Sequence, residues 1–145
     1  MVRKRMFVAA SALVLAGAFG AKAQSGGRTV WDGTYTAAQA ERGKAVYATS
    51  CAMCHGETLV GIDVAPPLVG SAFLNNWNST SAGDLFTRIH DTMPLNNPGT
   101  LSGRSVADVE AYMFQANGFP AGTVELPSNP ANLAGTRIVA TKPAG

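Results

Sequence analysis

Apolar positions recur at helical spacing in three stretches of the chain, and each stretch opens on a polar cap. Thr36-Ala37-Ala38-Gln39 has the form of a capping box, in which a hydroxyl and an amide side chain satisfy free backbone donors, and it predicts a helix to about Thr49. Within it Gly43 and Tyr47 lie four apart on one face, where a glycine lets a second helix come close. Ser81-Ala82-Gly83-Asp84 predicts a second helix over 82–91, carrying Leu85, Phe86 and Ile89 and ending before Pro94. Ser105-Val106-Ala107-Asp108 is expected to open a third, with Val106, Val109, Met113 and Ala116 as its apolar stripe and Gly118 as its stop. Between them, Ser25 to Tyr35 reads as an extended lead-in, and Glu57 to Asn78, broken by Gly61, Pro66, Pro67 and Gly70, reads as a loop. Asn96 to Gly99 is a turn. The proline-rich segment 119–145 reads as extended chain on the surface, with Val124, Leu126, Leu133, Ile138 and Val139 as anchors. No run alternates long enough to require a sheet, so the expected fold is all-α, with a few short helices and long loops.

Ahead of this lies a different pattern. Arg3, Lys4 and Arg5 precede an apolar run from Phe7 to Phe19, and Ala21-Lys22-Ala23 fits a small-x-small cleavage site, so residues 1–23 are expected to be a removable export signal. Thirteen apolar residues fall short of the roughly 20 that span a bilayer, and no membrane span is expected after cleavage. The expected location is the periplasm, with residues 24–145 as one domain.

This leader changes the charge balance. The full chain carries 11 Lys and Arg against 9 Asp and Glu, but removal of Arg3, Lys4, Arg5 and Lys22 leaves seven against nine, a net charge of −2. No basic patch remains for nucleic acid or for an acidic membrane surface. A chain of 145 residues leaves room for one domain, and its 16 Gly and 8 Pro agree with much loop. Such a small, loop-rich domain needs more than its own side chains to fill a core.

Cys51-Ala52-Met53-Cys54-His55 can supply it, being the C-x-x-C-H pattern of covalent c-type haem attachment. Two intervening residues set the thiols about one helical turn apart, so both can form thioethers along one edge of a haem. His55 can then turn its imidazole to the iron as the proximal ligand. These are the only two cysteines. A redox disulfide fits less well without a βαβ pattern. Zinc through Cys51, Cys54 and His90 lacks a matching histidine spacing, and a chance pair of buried thiols leaves His55 unexplained.

A haem iron offers a second axial position. Met1 and Met6 lie in the leader, Met53 lies inside the motif, and Met113 sits on an apolar stripe where packing is its natural role. Met93 follows a helix and opens a loop, which suits an axial thioether. His90 is the rival, three residues earlier and expected on the exposed side of its helix.

With CAMCHG at 51–56, APPLVG at 65–70, TMPLNNPGTLS at 92–102 and VADVEAYMFQANG at 106–118, the chain resembles the class I cytochromes c. The resemblance implies one covalently bound haem c, ligated by His55 and Met93, with terminal helices crossing where Gly43 and Tyr47 meet Tyr112. It implies that the Pro66 carbonyl accepts a hydrogen bond from His55, that Leu68 and Leu85 pack on the haem, and that Trp77 donates to a propionate. FLNNW at 73–77, MPLNNPG at 93–99 and ANGFPAG with VELP at 116–127 are similar to the cytochrome domains that accept electrons from quinoprotein alcohol dehydrogenases. The function this implies is one-electron transfer rather than catalysis, with a quinoprotein dehydrogenase and a terminal oxidase as redox partners. A haem subunit of a larger redox complex, and an open-site haem sensor or peroxidase-like protein, are the alternatives. The mature lysines are only Lys44 and Lys142, so docking through a lysine ring is not expected, and an apolar patch at the haem edge takes its place.

Overall fold

The computed structural model describes residues 27–144, so the expected leader lies outside the described residues. Among the described residues five helices carry the fold: α1 (Ala37–Ser50), α2 (Ala52–His55), α3 (Gly70–Trp77), α4 (Ala82–Thr92) and α5 (Gly103–Ala116), with 3-10 turns at Val30–Asp32 and Pro130–Leu133. Among the described residues pairing of β type is limited to two isolated bridges, Thr29 with Arg137 and Ser81 with Arg137. The all-α expectation holds.

Local chemistry explains where the helices start. Ser81 and Asp84 form the full reciprocal cap at α4, the Ser81 hydroxyl accepting from the Asp84 amide at 3.0 Å while the Asp84 carboxylate accepts from the Ser81 amide at 2.9 Å. At α1 only half of the expected box forms. Thr36 accepts from the Gln39 amide at 3.1 Å, but the Gln39 side chain turns to the C-terminal segment, donating to Leu126 O at 3.1 Å and accepting from Leu126 N at 2.7 Å. Helix α5 begins a turn earlier than expected. Ser102, not Ser105, is its cap, accepting from the Ser105 amide at 3.1 Å, and Asp108 is engaged by Arg42 instead. The region expected to be one loop contains α3, whose Phe73, Leu74 and Trp77 share a helical face behind the punctuating Pro66, Pro67 and Gly70.

Helices α1 and α5 cross in close contact. A Cβ built on Gly43 would stand 1.7 Å from the Asp108 carbonyl oxygen, so the crossing exists because residue 43 has no side chain. Tyr47 and Tyr112 close the same crossing with ring centroids 5.4 Å apart. Arg42 adds a forked contact to the buried Asp108, at 3.1 and 2.9 Å, and a third bond to Glu125 at 2.8 Å. Helix α5 is buried on more than the expected stripe: Ala107, Glu110, Ala111 and Phe114 are buried as well, while Ala116 is exposed. It is the central element, covered by α1, α4 and the C-terminal segment.

The lead-in and the tail run along the surface and send anchors into the core. Val30, Tyr35, Leu126, Leu133 and Ile138 are all buried, while Val124 is exposed and Val139 half-buried. The two ends are laced together: Val30 N donates to Arg137 O at 3.0 Å, Trp31 Nε1 to Val139 O at 2.9 Å, and the Tyr35 hydroxyl to Phe119 O at 2.6 Å. Ile138 N in turn bonds Thr80 O at 2.9 Å, joining the tail to the start of α4. These ties leave one side of the α4–α5 pair open toward α2 and α3.

Candidate haem site

That open side is a cavity of about 1000 Å³, at the upper end of the roughly 300–1,000 Å³ common for ligand pockets. Cys51, Cys54, His55, Pro66, Leu68, Trp77, Leu85 and Met93 all line it, together with Ile89, Val109 and Met113. The structure therefore brings these sequence-predicted residues to one place, while the rival ligand His90 lies outside it.

The C-x-x-C-H motif is a single helical turn. Cys51 ends α1 and begins α2, with Cys54 N and His55 N both directed to Cys51 O at 3.1 and 2.9 Å. The thiols are not joined to each other. Burial pushes the Cys51 thiol up to about 11.

The chain after the motif folds back on it. Gly56, at φ 76°, ends α2, and its carbonyl accepts from the Tyr47 hydroxyl at 2.7 Å. Gly61 N bonds His55 O at 2.9 Å and Ile62 N bonds Cys54 O at 3.1 Å. This return carries the Pro66 carbonyl to 2.9 Å from His55 Nδ1. A carbonyl oxygen only accepts, so Nδ1 bears the proton and Nε2 keeps its lone pair, the arrangement an imidazole ligand needs.

Met93 caps the C-terminus of α4 in extended conformation and lines the cavity. His90 lies elsewhere. Its ring stacks on Phe86 at 6.2 Å, its Nδ1 is 2.8 Å from Asp91, and it lines a separate cleft of about 320 Å³ with Ser128 and Pro130. Met113, read from the sequence as a packing residue, is buried and also reaches the cavity wall.

Sequence reasoning passed over Arg88, which brings a cation to the cavity wall from α4, with Asp63 as the acidic residue there. Its position one turn before Thr92 on the face that carries Leu85 was the available signal. The expected apolar patch at the haem edge is made by Met53, Ile62, Val64 and Leu95, residues the sequence did not single out, which gather at this same cavity; Val64 is 99% exposed.

Two thiols one turn apart, an imidazole with its tautomer set, a thioether and an apolar wall together define a c-type haem site. The sequence matches the family described as cytochrome C oxidase, cbb3-type, subunit III over residues 38–113, about half of the chain, and the chain belongs to this family of class I c-type cytochromes. Its cofactor is covalent haem c, and its family is one of electron-transfer haem proteins. Among solved structures, the sulfane dehydrogenase SoxCD from Paracoccus pantotrophus is similar, with 21% identity, a TM-score of 0.49, and 72% of this chain aligned to 59% of that chain. The chain thus spans less than two thirds of that protein's length. No curated protein matches the sequence. No helix among the described residues is long and apolar enough to cross a membrane.

Proposed function

We propose that the protein is an exported, periplasmic one-electron carrier whose haem is ligated by His55 and Met93, and that it passes electrons from a quinoprotein dehydrogenase toward a terminal oxidase. The observation that carries this is the convergence of Cys51, Cys54, His55 and Met93 on one apolar cavity, with the His55 ring held by Pro66. When bound, the haem supplies an iron that alternates between ferrous and ferric states. The chain's own residues set how it does so. Cys51 and Cys54 hold the group covalently. Pro66 fixes the imidazole and raises its basicity, while Met93 offers a soft sulfur that favours the ferrous state. Leu68, Leu85, Ile89 and Val109 keep water from the iron, and Arg88 and Trp77 offer a cation and an N–H donor to the haem carboxylates.

The quinoprotein pairing draws support from the FLNNW, MPLNNPG and ANGFPAG segments, and export from the leader pattern at 1–23. Docking is assigned to the rim of Met53, Ile62, Val64 and Leu95, where apolar side chains are exposed beside the cavity. Since the rim carries one acidic and one basic side chain, Asp63 and Arg88, and so no net steering charge, the bimolecular rate constant should change less than about three-fold between 20 and 300 mM salt. Stopped-flow reduction by the quinoprotein dehydrogenase of the same cell tests both points. Reduction that is fast and insensitive to salt supports the reading. No reduction, while another cytochrome of that cell is reduced, overturns the pairing.

A further inference from the structure

The loop that presents the Pro66 carbonyl to His55 is fastened at both ends to the two crossing helices. At its start, Tyr47 of α1 donates to Gly56 O at 2.7 Å. At its end stands Asn117, the residue that caps the C-terminus of α5. Its Oδ1 accepts from Gly70 N at 3.0 Å, and its Nδ2 donates to Leu68 O at 2.9 Å and to Met113 O at 2.8 Å. One side-chain amide thus grips the backbone on both sides of Val69 and ties it to the helix that bears Met113. With one N–H donor and two carbonyl acceptors around it, only one orientation of the amide satisfies all three. No isosteric side chain repeats this pattern, because an aspartate in its place would turn a carboxylate oxygen toward two carbonyls.

We propose that Asn117 is a positioning residue for the proximal ligand: by clamping Leu68 and Gly70 it holds the Pro66 carbonyl against His55 Nδ1, and so sets the basicity of the imidazole. The chain of contacts is short, since Leu68 lies two residues after Pro66, and Leu68 N also bonds Leu59 O at 2.7 Å within the same loop. Releasing the clamp lengthens the Nδ1–H to Pro66 contact, lowers the basicity of His55 and favours the ferrous iron. The inference rests on His55 being the proximal ligand, as proposed above.

The test uses the full-length holoprotein, with Asn117→Asp and Asn117→Ala compared with wild type. In wild type, a low-spin spectrum with histidine ligation establishes the starting point; a wild-type spectrum without it overturns the ligand assignment and this inference together. Given that spectrum, the variants should shift the ferrous-to-ferric ratio at a fixed ambient potential about three-fold toward ferrous, since outer contacts of a ligand tune the metal. They should also speed solvent exchange of the His55 Nδ1 proton, followed by NMR in the ferrous state, by about ten-fold, the weight of one hydrogen bond. Asp should exceed Ala in both. Variants that lose stability while both readouts stay at wild-type values show a structural role alone and overturn the inference, with the ligand assignment intact. If neither variant folds, the wild-type protein decides: across a series of denaturant concentrations, the Gly70 amide and the His55 Nδ1 proton should exchange through the same opening step. Exchange of the two through separate openings overturns the proposal.

Discussion

At the scale of single residues, Glu110 is a costly group to bury. It sits on α5 with no solvent exposure, and neither carboxylate oxygen has a hydrogen-bond partner. Burial raises its pKa well above the usual 4.5, so the folded protein keeps it protonated where the unfolded chain releases the proton. The linkage sign follows from that. Its contribution to stability is fullest below the unfolded value of about 4.3 and is lost as pH rises from there through the folded value. Urea midpoints measured from pH 4.5 to 8 should fall with pH, and Glu110→Gln should flatten that fall; an unchanged slope would place the carboxylate outside the titration. Asp84 shows the opposite case. The backbone N–H of Ser81 and its hydroxyl hold its carboxyl below the usual value, so its contribution is present at neutral pH and lost on acidification. Ser81→Ala, which removes one side of this cap, should cost about 1 kcal/mol in chemical denaturation.

At the scale of elements, the α1–α5 crossing is the joint on which the site depends, because α1 runs directly into the C-x-x-C-H turn and α5 supplies Val109 and Met113 to the cavity. Gly43→Ala places a methyl against the Asp108 backbone and should cost about 3 kcal/mol or more, read as a lower denaturation midpoint. A change below about 0.5 kcal/mol would mean that the helices slide apart freely. Much of this level was legible beforehand. Helix α4 was complete in its cap and its apolar spacing, and Gly43 signalled the crossing. The cavity residues were legible too, because haem attachment dictates Cys51, Cys54 and His55 by spacing alone and leaves few methionines to choose from. What escaped had long-range causes. Gln39 serves Leu126 instead of its own helix start, and Asp108 serves Arg42 instead of a cap; no local pattern reveals a partner 87 or 66 residues away. Helix α3 was hidden because the prolines and glycines that suggested a loop lie before it, with Gly70 at its first position in a φ of 74°. Arg88 and Asn117 were missed because their worth depends on which loop stands opposite them.

For the whole molecule, the C-terminal segment is what ties the five short helices of the described residues and the haem loop together. Leu133 and Ile138 are almost fully buried, and the segment joins the start of the described chain to α4 through Val30, Thr80 and Ala82. Ile138→Ala should therefore destabilise by about 2–5 kcal/mol, as for other fully buried aliphatic side chains, whereas Val124→Ala, at an exposed position of the same segment, should be near neutral. Equal effects of the two would contradict this division. With its anchors committed to the fold, this segment leaves the exposed Met53, Ile62, Val64 and Leu95 at the cavity rim as the surface that the proposed docking would use.

The proposed function depends on a haem held between His55 and Met93, and the visible spectrum of the full-length protein, made in a cell that attaches haem c, tests it most directly. Low-spin bands should appear in both oxidation states, with the weak red sulfur-to-iron band in the ferric form. Met93→Ala should abolish that band and His90→Ala should leave it unchanged. A high-spin ferric spectrum in the wild-type protein, or loss of low-spin ligation on changing His90 instead of Met93, would contradict the account.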